Sequence, residues 1–211
     1  RNPARFAVYA RPDGSPLESP APGSPNQLFP GSGTQFPTVP RTILSMTSIQ
    51  DPIASPDGWI PDNGDSTLGN NAEVFLDPYG EIVPRQGVLD ERGRPRGTPD
   101  ASGRNRDFLG TSPRSFEYSP PPLDSNPDAG DSPILVPFQR GSVTQLFYLA
   151  NYWHDRMYRL GFDEVAGNYQ KNNFRRGGKA GDPVIAVSQS NYLNFIGEGG
   201  GVFITAPDGT S

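Results

Sequence analysis

The sequence predicts an α+β fold: an irregular β-rich lobe of short strands and long loops, plus one long buried helix at about residues 142–160. Three observations predict it. Gly and Pro contribute 25 residues each to a chain of 211, about twice the usual share, which excludes a helical bundle. Short β-type apolar runs are separated by Gly, Pro and Asn turns, as in a lobe built from many small strands. Only one stretch, beginning near Ser142, carries a sustained helical period. The 12 Phe, 8 Tyr and 2 Trp supply a core and argue against plain disorder.

The same counts narrow the function. No run of about 18 apolar residues exists, so no transmembrane helix is expected. With no Cys and one His, a Cys/His zinc site has no ligand set, and a Ser-His-Asp mechanism would rest on one imidazole. A net charge of −5 gives no overall attraction for nucleic acid. The opening Arg1-Asn2-Pro3 carries no signal peptide, as expected of a processed extracytoplasmic protein or of a fragment.

Residues 1–40 read as an extended arm. Phe6 to Tyr9 is strand-like, and the many prolines between 12 and 40 then deny helix and backbone donors. Phe6, Leu28, Phe29 and Phe36 give the arm apolar groups to bury, which favours an arm draped over a core or a partner over the alternative of free disorder. Residues 41–211 read as the lobe itself. Thr42 to Met46 is a strand candidate, Asp57-Gly58 a turn before Trp59-Ile60, and Thr67 to Asp77 ends in alternation. A basic Gly/Pro loop occupies about 90–133, with acidic neighbours that favour a solvated surface over a nucleic-acid site.

The helix has defined ends in this reading. Ser142 and Gln145 form an S-x-x-Q capping box. Val143, Leu146, Phe147, Ala150, Trp153, Met157 and Leu160 recur at steps of three and four, and Gly161 suits the left-handed residue that ends a helix. Tyr148, Leu149 and Tyr152 make the helix apolar on most sides, which predicts burial between layers. After it come a Gly/Asn-rich loop, a strand candidate at Val184 to Val187, and a hairpin at 191–205. Pro207 to Ser211 is a turn, from which a further element is expected.

Candidates for chemistry are few. His154 reads as a helix histidine satisfied by one ring hydrogen bond, without Asp155 as partner, because adjacent helical residues do not face each other. Asp163-Glu164 suits acid/base work, calcium or a polar turn. Arg175 to Lys179 would suit a phosphate but lacks the strand-then-helix order of a P-loop. No complete catalytic constellation and no metal site is present in these residues.

Several stretches, in order, resemble the catalytic region of the fungalysin family of secreted zinc metalloendopeptidases. The clearest is Val143 to Phe174, similar to that family's helix ending in His-Asp and the A-G-N-F-Q-x-N-N-F loop after it. Arg176-Gly177-Gly178 and Gly181-Asp182-Pro183-Val184 continue it. Upstream, Ser55-Pro56-Asp57-Gly58-Trp59 resembles S-P-x-x-W, and Thr67-Leu68-Gly69-Asn70-Asn71 resembles T-R-G-N-N with Leu68 in place of Arg. Phe203 to Thr210 is similar to F-A-T-P-P-D-G-T.

The resemblance implies the N-terminal lobe of a thermolysin-like peptidase. Such enzymes hold zinc by H-E-x-x-H plus a later Glu, and the Glu inside the motif activates the metal-bound water. That motif is absent here, so the chain alone is expected to hold no cofactor and to hydrolyse no peptide; zinc is expected only with a C-terminal zinc-helix lobe. The family's substrate-binding edge strand, N-A-N-F, aligns with Gly200, Gly201, Val202 and Phe203, with both asparagines replaced. A peptide substrate is the implied partner at that strand. Two functions follow: the N-terminal portion of a secreted peptidase, or a non-catalytic structural or docking subunit of an extracytoplasmic assembly. In both, residues 143–160 are expected to stay partly exposed until the second lobe or another subunit covers them. A carbohydrate-binding β module rests only on the aromatic content.

Overall fold

The computed structural model describes residues 3–17, 41–62, 64–76, 114–118, 136–188 and 208–209, with backbone alone at 136–138. Phe6 and its neighbours form β1 (Arg5–Val8), the central strand of a three-stranded sheet. One edge is β2 (Thr42–Ser45), antiparallel with Phe6 opposite Leu44. At Met46 the chain leaves the expected strand and turns into the single-turn helix α1 (Met46–Ile49), fixed by the Met46 amide donating to the Ala4 carbonyl at 2.8 Å.

A second sheet pairs β3 (Ala72–Leu76) in parallel with a strand far along the chain, with Ala72 opposite Val184 and Leu76 opposite Ser188. The other edge of the first sheet is β4 (Ser115–Phe116), parallel to β1. The long helix α2 (Val136–Arg159) packs against strands of both sheets and leads to β5 (Val184–Ser188), the partner of β3. A parallel pair requires such a crossover, and α2 supplies it.

Aromatic rings fill the space between the sheets and α2. Phe6 stacks on Phe116 at 5.3 Å and on Phe147 at 6.0 Å, and Trp59 tilts against Phe6 and Tyr148 at 6.2 Å. The turn before Trp59 forms as its sequence predicts, with Gly58 at φ +78° and its amide on the Ser55 carbonyl. In β3 the alternation is overridden, because Glu73 is buried at 9% exposure and paired with Lys171.

The helix differs from expectation at its start. It begins at Val136, six residues before Ser142, because Pro137 lies in the first turn, where its missing N–H costs nothing. Ser142 donates to the Gln139 carbonyl, and the Gln145 side chain accepts the Tyr9 amide at 2.7 Å, so Gln145 ties the helix to the residue that follows β1 and neither side chain makes the expected cap. Its end matches the sequence. Gly161 has φ +98°, its amide donates to Tyr158, and the Phe162 amide donates to Met157, the double closure of a Schellman motif. Burial is also less complete than the apolar periodicity implies. Val143, Phe147 and Tyr148 are fully buried, whereas Trp153, Met157 and Leu160 are 57%, 41% and 80% exposed.

Candidate functional site

The stretches that resemble the family meet around one carboxylate. Asp155, in the penultimate turn of α2 and 5% exposed, accepts four hydrogen bonds. The donors are the Asp51 amide at 2.9 Å, Ser55 Oγ at 2.6 Å, Trp59 Nε1 at 2.8 Å and His154 Nδ1 at 3.0 Å. The expected separation of His154 from Asp155 is therefore corrected. The backbone directs the two side chains apart, but the imidazole nitrogen next to Cγ still reaches the neighbouring carboxylate. With Nδ1 donating, Nε2 is the acceptor that faces Asn168 Nδ2 at 3.5 Å.

Amides extend the network. Asn71 Nδ2 donates to Ser55 Oγ at 2.9 Å and to Asn151 Oδ1 at 3.1 Å. Gln170, fully buried, donates to the Ala54 carbonyl and to Asn71 Oδ1, and accepts from Asn168 at 3.0 Å. Asp182 accepts the Gln170 amide at 3.2 Å and the Gly209 amide at 2.7 Å, so the turn at 208–209 is joined to the same network.

A second cluster sits beside the helix end. Buried Glu164 accepts from Tyr158 Oη at 2.8 Å and from Arg176 at 3.4 Å, while Arg176 also donates to the Ile53 carbonyl at 2.6 Å. Burial, then the Glu164 contact, pushes the Tyr158 phenol up. Asp163 accepts the Val165 and Ala166 amides, both at 3.1 Å, which makes Asp163-Glu164 a structured polar turn. Gly178 (φ +61°) has no room for a Cβ, which would overlap the Glu164 carbonyl. Arg175 to Lys179 is thus a tightly wound loop with Arg176 committed to protein groups.

Asp51 links the helix end to the preceding loop. Burial opposes its charge, but both guanidinium bonds from Arg159 and the Ile53 and Ala54 amides outweigh that and hold the carboxyl below its ordinary value. A lowered folded-state value stabilises the fold above the unfolded value of 3.8, and this is lost as pH falls through the depressed one. Thermal melts from pH 5 down to pH 2 are expected to show a steeper loss in the wild type than in Asp51→Asn. Parallel curves would contradict the assignment.

Chemically this arrangement holds elements together. Each Asp155 oxygen is occupied, and the His154 side chain is 7% exposed, out of reach of a substrate. Among the described residues no three His, Cys, Asp or Glu side chains could hold a metal ion. The described residues therefore do not fit the zinc centre that the resemblance implies. Gly200, Gly201, Val202 and Phe203 lie outside the described residues. Among the described residues, no helix is long and apolar enough to cross a membrane.

The roles of Ser55, Trp59, Asn71 and Gln170 were not legible beforehand. Their hydrogen-bond partners lie up to 116 residues away in sequence, and only their presence in the family-like stretches signalled them.

The fungalysin metallopeptidase (M36) family matches residues 34–211. The chain is 34% identical over 188 residues to the extracellular metalloproteinase MEP of Pyricularia oryzae, covering 87% of this chain and 24% of that protein. It is 36% identical over 159 residues to extracellular metalloproteinase 10 of Coccidioides posadasii, covering 74% and 20%. With the extracellular metalloproteinase mep of Aspergillus flavus it shares 35% over 181 residues, covering 84% and 23%. The chain thus spans about a quarter or less of the length of these relatives. By the extent of these matches, the chain belongs to the fungalysin metallopeptidase family.

Proposed function

We propose that this chain is the N-terminal part of the catalytic region of a secreted zinc metalloendopeptidase, folded around the Asp155 network and inactive by itself. The observation that carries the reading is the apolar stripe left exposed at the end of a helix otherwise anchored in the core. Trp153, Met157 and Leu160 lie at steps of four and three, and Val165 of the next loop is 76% exposed. Such a stripe suits a second lobe that brings the zinc ligands. The single histidine of the sequence, tied into the buried network, supports the same division of labour. The names of the relatives, all extracellular metalloproteinases, support secretion. Peptide pairing along Gly200 to Phe203 is part of this proposal.

Peptide hydrolysis tests it. The 211-residue chain with added zinc is expected to show no turnover, and the chain extended through its zinc-binding residues is expected to show chelator-sensitive cleavage. Turnover by the 211 residues alone would sink the reading. Silence of both forms would favour a non-catalytic docking subunit.

A further inference from the structure

The sequence holds two methionines, and the fold gives them opposite settings. Met46 is 5% exposed, and its Cε lies so close to Gly58 that a Cβ there would be 2.7 Å away. Met157 is 41% exposed between Trp153 and Leu160 on the α2 stripe. A thioether is oxidised where an oxidant can reach the sulfur.

We propose that Met157 is a peroxide-sensitive modification site that controls the apolar face of α2. In the step, the sulfur lone pair attacks one oxygen of a hydroperoxide and the O–O bond breaks. The sulfur keeps that oxygen as a sulfoxide, and the other oxygen leaves with the protons as water or an alcohol. The thioether is oxidised by two electrons and the peroxide is reduced by two. The fold tolerates the change, because the Met157 carbonyl is held by the Leu160 and Phe162 amides, both at 3.0 Å, and only the side-chain tip is altered.

The consequence rests on the reading that this stripe receives a second lobe. A sulfoxide sets a strong acceptor in the middle of an apolar face, where docking would bury it without a donor. Association there is expected to weaken roughly ten- to a hundredfold. Oxidation acts before the face is covered; once covered, Met157 is shielded.

Treating the folded 211-residue chain with hydrogen peroxide and mapping peptides over time tests the site. Met157 is expected to gain one oxygen at least about tenfold faster than Met46, with the helical signal retained. In urea the two rates should converge. In Met157→Leu, uptake should fall to the slow rate of Met46. Equal rates in the folded chain, or faster oxidation of Met46, would overturn the proposal. The same treatment of the extended, zinc-holding polypeptide separates the two ideas. Protection of Met157 there supports the docking reading; unchanged reactivity there refutes that reading and leaves the site itself standing.

Discussion

Asp155→Ala is expected to lower the unfolding free energy by about 3–5 kcal/mol, because removing one buried hydrogen-bonded charge strands its partners. Four donors lose their acceptor at once: the Asp51 amide, Ser55 Oγ, Trp59 Nε1 and His154 Nδ1. Three come from the loop at 51–59 and one from α2 itself, so that loop is expected to detach from α2 early in unfolding. The melting temperature should fall by roughly 10 °C. Asp155→Asn keeps the shape and one accepting oxygen but turns an NH₂ group toward donors, so about 2 kcal/mol is expected. Urea unfolding of both variants is the check. A loss below about 1 kcal/mol for Asp155→Ala would show that water replaces the carboxylate and that the network is not what joins these segments.

Phe6→Ala is the apolar counterpart. Phe6 is fully buried in the central strand and stacks or tilts against Trp59 of the 51–59 loop, Phe116 of β4 and Phe147 of α2. Truncation leaves a cavity that three rings cannot all close, with an expected cost of about 3–5 kcal/mol. Ile43, on the adjacent strand and 51% exposed, serves as the control. Its change to Ala should stay within about 0.5–1 kcal/mol, since a half-exposed side chain has little transfer energy to lose. Similar costs at the two positions would mean that the aromatic cluster is not the core of the lobe.

How much of this was legible depended on the range of the interaction. The helix end was readable because Gly161 and the residues before it act within a single turn. The helix start is not readable locally, because Ser142 and Gln145 have the spacing of a cap while their partners, Gln139 and Tyr9, are chosen by packing. The strands at Phe6, Thr42, Ala72 and Val184 follow from short β-type runs, but their pairing does not. Nothing local shows that β3 takes a partner more than a hundred residues later. Helix geometry alone separates His154 from Asp155, whereas the short reach between neighbouring side chains brings them together. The exposed stripe was only half readable. Periodicity marks Trp153, Met157 and Leu160 as apolar, while their exposure depends on where the two sheets stop covering α2.

The most direct test of the proposed role is mass spectrometry of the intact native polypeptide together with its zinc content. A polypeptide heavier than 22.8 kDa carrying one zinc, with peptidase activity lost on chelation, is the expected result. A native polypeptide of 22.8 kDa that binds zinc and cleaves peptides would contradict it.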